Sequence, residues 1–282
     1  MGAQVVGGPA ALVASLRSAC DAAGVSFRLE SQVEAILTRA GRVEGVRLSG
    51  GEEVVSSAVL STVCPHTTLL GLLGRRHLRD ADAQAVSNIR MRGTTAKAEI
   101  ALSGTLVDES GQLVERYQSG ASLDALERAF DAAKYGDMST EPLLDVRAFQ
   151  GEGVSPPDHS TLSVLVHFAP YNRRGGWTDA AREELGSRVL DELERAFPGS
   201  RSRVVGLDIL SPVDIEEQYR LRNGHVFHGE HAPDQLLFMR PTINMAGYTT
   251  PVEGLFMGGS GNHPGGGITC GAGYLAAKRM LA

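Results

Sequence analysis

Five side chains suited to proton transfer fall between positions 225 and 263: His225, His228, Glu230, His231 and His263. Imidazoles titrate near neutral pH and a carboxylate accepts a proton, so this group can supply a base. His263 stands inside Gly258–Gly273, where eight of sixteen residues are glycine. Backbone without Cβ can approach a ligand closely and adopt positive φ. An apolar strand-like run (Leu255, Phe256, Met257) leads into this loop, and a helix-like run (Leu275 to Leu281) leads out. A helix N-terminus placed after such a loop offers free N–H groups and a positive dipole end to an anion. Strand, glycine loop and helix together point to a cofactor phosphate or a polarised ring. Structural readings stand beside the chemical ones. His228 can hydrogen-bond loop backbone, and Glu230 can pair with Arg240 or Arg222. Arg240 suits an anionic group or an ion pair, and His167, in an apolar strand, reads as a core histidine.

These groups need a frame, and the patterning of the chain provides one. Pro9 suits a first helical turn, Leu12, Leu16, Cys20 and Ala23 recur at helical spacing, and Gly24 suits the stop. Val25, Phe27 and Leu29 alternate as in a strand. Val33 to Leu37 and Val43 to Leu48 flank a turn at Ala40-Gly41, and Gly50-Gly51 returns the chain to Val54-Val55. Ala58 to Ser61 reads as a short buried strand ending at Cys64-Pro65, so the opening predicts a βαβ-like unit carrying a hairpin. Farther on, Leu69 to Leu73 and Asp80 to Val86 read as helices, and Thr94 to Ser103 as a strand. Ser122 caps a helix through Phe130, Thr161 to Phe168 is a strand, Thr178 caps a long helix, and Val204 to Leu210 is a strand. Residues 211–241 read as polar loop, with Asp214, Glu216 and Glu217 at a solvated helix start.

Composition narrows the function classes. At 282 residues, 42% apolar and 21% charged, the chain is globular and long enough for two domains or subdomains. A net charge of −6 without a Lys/Arg run argues against nucleic-acid binding. No apolar run approaches a membrane span, and the opening MGAQVV fits neither a secretory signal nor a myristoylation site. Cys20, Cys64 and Cys270 lie far apart without a CxxC, which predicts a cytoplasmic protein with no zinc site and no disulfide framework.

Two glycine signals invite a dinucleotide reading. The first, Gly7-Gly8 with Glu30 downstream, lacks the G-x-G-x-x-G spacing, and Pro9 occupies one glycine position. It supports a weaker third reading, a small-molecule NAD-binding protein. The second is the G-x-G-x-x-A of Gly271, Gly273 and Ala276. No second strand or ribose-binding acid is expected after it, so it fails as a complete fingerprint. On physical grounds its helix either touches a cofactor or simply packs tightly through glycine, and the two readings stay level.

The chain resembles the C-terminal half of phytoene-desaturase-like FAD-dependent oxidoreductases, most of all those of the pyridine-nucleotide-disulfide-oxidoreductase-domain protein 2 type. The segments that carry the resemblance are Gly7-Gly8 through Leu16, Gly24 through Ile36, Ala58 through Pro65, Phe227-His228-Gly229-Glu230, Asp234 through Pro241 and Thr250 through Ala277. The resemblance implies an α/β fold: a discontinuous, partial FAD-binding domain, Rossmann-like and of the glutathione-reductase type, with an inserted α+β substrate domain of mainly antiparallel sheet. Residues 1–68 and 242–282 would be pieces of the FAD domain, and 69–241 the substrate and interaction domain. FAD is the implied cofactor. Val33 would lie by the adenine side, Gly259, Ser260 and Gly261 by the ribityl-phosphate region, and Gly266, Gly267 and Ile268 along the isoalloxazine. The helix from Gly271 would aim its dipole at the flavin N1/C2 carbonyl, where the reduced ring carries negative charge. The same resemblance brings His263 near the flavin and makes His228 and Glu230 the other catalytic candidates.

One departure shapes the functional reading. Such enzymes begin with a G-x-G-x-x-G unit that holds the ADP moiety, and no residue of this sequence supplies it. Many flavoproteins also carry Asp where Ser260 stands. The chain is then a shortened piece, one subunit of a split enzyme, or a relative that no longer binds FAD. Missing central strands would leave apolar edges exposed, which predicts a partner. The favoured expectation is a split, heteromeric flavoenzyme that dehydrogenates a small organic substrate with an N-terminal-half partner and is inactive without it. The alternative is a non-catalytic scaffold or regulatory subunit.

Overall fold

The structure, a computed structural model, describes residues 5–92, 95–120, 122–151 and 153–282. The chain runs α1 (Gly8–Ala22), β1 (Val33–Arg39), β2 (Arg42–Leu48), β3 (Glu53–Val55) and β4 (Val59–Ser61), then a π-helical segment (Thr67–Gly74) and α2 (Asp80–Ser87). Next come β5 (Thr95–Ser103), β6 (Arg116–Gln118), α3 (Leu123–Lys134), β7 (Leu143–Phe149), β8 (His159–His167), α4 (Asp179–Ala196), β9 (Val204–Leu210) and α5 (Pro212–Tyr219). Several 3-10 turns lead to β10 (Leu255–Met257) and α6 (Gly271–Met280). Helices combine with sheets that are mainly antiparallel.

Contacts divide the chain into two units. One holds Arg28–Arg92 and Glu216–Ala282; the other holds the described residues of Met1–Phe27 and Gly93–Ile215. In the first, turn chemistry builds an antiparallel meander β1-β2-β3. Ala40 and Gly41 both take positive φ, 49° and 79°, as a two-residue hairpin turn requires. Beside it stands a two-stranded parallel sheet, β10-β4. Ile36, Val43, Leu69, Leu73, Val86, Met245, Val252, Leu255 and Met257 close its core.

The second unit is a five-stranded antiparallel sheet in the order β6-β7-β8-β5-β9. Alternation sets its buried face: Ala98, Ile100 and Leu102 of β5 with Leu162, Val164 and Val166 of β8 pack against Leu185, Val189 and Leu193 of α4. The caps form as expected. Ser122 Oγ accepts from Ala125 N–H and Thr178 Oγ1 from Ala181 N–H, each at 3.2 Å.

Several expectations are corrected. Val25, Phe27 and Leu29 form no strand; all three are exposed, with Leu29 in a turn, because no described strand lies alongside to complete a ladder. The opening is therefore a helix followed by an antiparallel meander, not a βαβ unit. Residues 211–241 are less loop-like than expected. Asp214 is not solvated: it accepts a bidentate pair from Arg182 and caps α5 with Ser211. The strands β6 and β7 had no counterpart in the sequence reading. Thr94, the expected first residue of β5, lies outside the described residues.

Candidate active site

Because β4 and β10 are parallel, with Val59, Leu60 and Ser61 opposite Leu255, Phe256 and Met257, their carboxyl ends face the same way. Residues 62–66 and the glycine loop 258–270 therefore leave the same end of this sheet, where α/β folds hold ligands. Gly258 N–H donates to the Ser61 carbonyl at 2.9 Å, extending the ladder by one step.

The loop glycines are needed for approach within the chain itself. A Cβ on Gly259 would stand 2.1 Å from the Thr62 carbonyl oxygen, and one on Gly261 2.3 Å from Pro65 Cδ. A Cβ on Gly266 would stand 1.9 Å from Phe227 Cδ1, and one on Gly271 3.0 Å from Pro264 Cγ. Gly267 differs: its φ is +125°, and its Cβ direction meets nothing nearer than Thr269 Cγ2 at 3.9 Å. Ile268 is 90% exposed. Cys270, with φ 54°, takes the cap position of α6 without a cap bond from its own side chain, and Thr269 Oγ1 accepts from Gly271 N–H at 3.2 Å.

Arg240 ties the turn 227–230 to this loop. Its guanidinium donates to the carbonyls of Phe227, Gly229, Glu230, Gln235 and Ser260. Glu230 pairs with neither Arg240 nor Arg222. Its carboxylate accepts from Arg92 Nε at 2.7 Å and Nη2 at 2.8 Å, with Arg90 Nε at 3.4 Å. Those arginines hold it below the usual carboxylate range.

His228 takes positive φ (55°), and its Cβ lies 3.4 Å from the Cβ direction of Gly261. Burial, reinforced by the Arg240 charge, pushes the His228 and His231 imidazoles down. Burial pushes His225 to about 4, against an opposing pull from Glu230. His231 stacks on Phe227 with ring centroids 4.7 Å apart. The structure thus gathers His228, His263 and the residues from Gly259 to Gly271 around one loop. Glu230 reaches that group only through its backbone, and Val33 lies at the start of β1, opposite Leu48.

Sequence reasoning missed Arg240 as the tie, Arg90 and Arg92 as the partners of Glu230, and Thr62 and Pro65 as the wall behind the glycines. Only the last left a sequence signal, the Cys64-Pro65 end of a short apolar strand.

Within the unit that holds Arg28–Arg92 and Glu216–Ala282, a parallel strand pair thus runs into a glycine loop and then into α6. The chain matches the family described as flavin containing amine oxidoreductase over residues 2–280, and it belongs to that family. It is 32% identical over 289 residues to pyridine nucleotide-disulfide oxidoreductase domain-containing protein 2 of Rattus norvegicus, covering 97% of this chain and 50% of the relative. It is 26% identical to the neurosporene-forming phytoene desaturase of Cereibacter sphaeroides, covering 98% of this chain and 52% of the relative. Among solved structures, cyclohexylamine oxidase from Brevibacterium oxydans shares the fold at a TM-score of 0.59 and 18% identity, over 90% of this chain and 49% of that one. The chain spans about half the length of the relatives it matches.

The cofactor of the family is FAD, and the loop's chemistry fits it. His228 Nδ1, His263 Nδ1 and Asn262 Nδ2 are buried and have no hydrogen-bond partner among the described residues. Such groups are normally satisfied. Together with the dipole of the α6 N-terminus they suit a ligand with a polar ring edge and anionic groups.

Proposed function

We propose that this chain is the flavin-facing, C-terminal portion of a desaturase or amine-oxidase-like FAD-dependent oxidoreductase, completed by a partner chain that carries the G-x-G-x-x-G half. The observation that carries this reading is the glycine loop, leading into α6, at the carboxyl ends of the parallel pair β4 and β10. In it, one discontinuous, Rossmann-like domain draws on 28–68 and 242–282, and the inserted substrate and interaction domain centres on 93–215, in keeping with how contacts group the chain. When bound, FAD supplies the acceptor for a hydride from a C–H bond next to C=C, N or O. Backbone N–H groups of Gly259, Ser260 and Gly261 hold the ribityl-phosphate region. Gly266, Gly267 and Ile268 would line the ring, and the α6 dipole from Gly271 would favour negative charge there. Val33 borders the adenine side. His228 and His263 are the proton acceptors of this reading, and burial keeps His228 neutral and able to accept. Glu230, ionised between Arg90 and Arg92, holds the turn that presents His228.

Exposed apolar residues support a partner. Val6, Val13, Leu16, Val25, Phe27 and Leu29 are all exposed, Val6 to 95%. A two-stranded parallel sheet is rarely left alone, since parallel strands are ordinarily buried within larger sheets. Strands from an N-terminal half would extend the β4-β10 pair. No helix among the described residues is long and apolar enough to cross a membrane. The free cysteines suit the reducing cytoplasm of this reading.

One observation favours the second reading, a non-catalytic scaffold or regulatory subunit: the chain's own packing already accounts for Gly259, Gly261 and Gly266. Hydrogen exchange on the chain assembled with its native partner separates the two. The flavin reading expects FAD to slow exchange across residues 258–273. Unchanged exchange there at saturating FAD favours the scaffold.

A further inference from the structure

Arg240 is 2% exposed, and a buried cation ordinarily has a carboxylate partner. Here, among the described residues, it has none. Its Nε donates to the Ser260 carbonyl at 3.1 Å, and Nη1 donates to those of Glu230 and Gln235 at 3.1 and 3.2 Å. Nη2 donates to the carbonyls of Gly229 at 3.2 Å and Ser260 at 2.8 Å, and to that of Phe227. Each guanidinium nitrogen is engaged, so the group is fixed in position as well as buried. Burial pushes its pKa down only to about 10, so it stays charged near neutral pH. Carbonyl dipoles solvate the charge without cancelling it.

The position of that charge is informative. The guanidinium bonds Ser260 near the start of the loop, and its Nε lies 3.7 Å from the Cβ direction of Gly265 midway along it. Its Nη1 lies 3.7 Å from the Cβ direction of Gly229. One fixed cation therefore backs both the FHGE turn and the loop that the flavin reading sets against the cofactor.

Resting on that reading, we propose that Arg240 is a positioning residue with an electrostatic role: it fixes the turn 227–230 to the back of the glycine loop and gives the flavin site a permanent positive charge that favours the reduced cofactor. A buried cation without a carboxylate partner acts over several ångströms, because little water screens it. Glu230 does not neutralise it, being occupied by Arg90 and Arg92.

The test uses the assembled flavoprotein with Arg240→Gln, which removes the charge, and Arg240→Lys, which keeps the charge and loses the fork. The bound flavin's midpoint potential is measured by spectroelectrochemistry, and exchange at 227–230 and 258–262 by hydrogen-exchange mass spectrometry. The Gln variant is expected to shift the oxidised-to-reduced ratio at least tenfold toward oxidised, a fall of about 30 mV for a two-electron couple. The Lys variant is expected to stay within about threefold of wild type in that ratio while exchanging faster in both segments. A Gln variant that holds flavin at the wild-type potential overturns the electrostatic role and leaves the flavin reading intact. Should the Gln variant not fold, a tenfold fall in the Lys variant overturns that role equally. Wild-type assembly that holds no flavin overturns the flavin reading and the electrostatic role together. Wild-type exchange rates in the Lys variant overturn the clamp, with or without flavin.

Discussion

Replacing Gly259 by alanine puts the packing of the glycine loop under direct test. The new Cβ would stand 2.1 Å from the Thr62 carbonyl oxygen and 2.8 Å from its carbon. Both are backbone atoms immediately after β4, and β4 is held in register by β10. Relief therefore means moving a strand end and weakening the Gly258 to Ser61 hydrogen bond. Overpacking a rigid site costs about 1–3 kcal/mol, and Gly259→Ala belongs at the upper end, near ~3 kcal/mol. Gly266→Ala is the control. Its Cβ would meet Phe227 Cδ1 at 1.9 Å, a nearer approach, but Phe227 is 36% exposed and its ring can swing aside. That cost belongs at the lower end, about 1 kcal/mol, and Phe227→Ala in the same chain should recover most of it. Urea unfolding reads both: the midpoint should fall with an unchanged slope, and further for Gly259→Ala. Equal losses for the two variants, or a Gly259→Ala chain within about 0.5 kcal/mol of wild type, the range of an ordinary surface change, would refute the assignment of these glycines to intrachain approach.

Other consequences follow from single groups. Thr178→Ala removes the N-cap of α4 and should cost about 1 kcal/mol, seen as a lower thermal midpoint; Thr178→Ser should retain most of that stability. His225 is held near 4 against an ordinary value of 6.5, so between those pH values the unfolded chain binds the extra proton. Stability should then fall as pH drops from 6.5 toward 4, by up to about 1.4 kcal/mol per pH unit. His225→Gln should flatten that stretch of the urea-midpoint profile, and an unchanged slope would remove His225 as its source. Because the Arg240 charge helps lower the His225, His228 and His231 values, Arg240→Gln should raise all three in an NMR titration. Unmoved titrations would show that burial alone sets them.

The elements that repeat a local rule were legible in the sequence. Ser122 and Thr178 were read as caps and make the expected bonds, and the Ala40-Gly41 turn announced the β1-β2 hairpin. Thr161 to Phe168 read as a strand because alternation over a half-buried face is a local property; the structure has β8 one or two residues earlier. Val25, Phe27 and Leu29 show the limit of that reasoning. Alternation records which face is apolar, but a strand exists only when a neighbour completes its ladder. The site was legible in the same graded way. Glycine spacing marked the loop from Gly258 to Gly273. The guanidinium–carbonyl contacts of Arg240 and the pairing of Glu230 with Arg92 join residues 20 and 138 positions apart, and no local pattern encodes them. Asp214 was misread for the same reason, since Arg182, its partner, lies 32 positions away.

The central claim is that this loop holds FAD once an N-terminal half completes the sheet. It is tested most directly by the stoichiometry of FAD, from flavin absorbance against protein, measured on the chain alone and on its complex with the proposed partner. The expected result is a yellow complex with about one FAD per chain, in line with a single flavin-facing loop, and little or none on the lone chain. A lone chain that is a stable monomer and binds FAD stoichiometrically would contradict the need for a partner. A colourless complex that takes up no added FAD would contradict the flavin site itself.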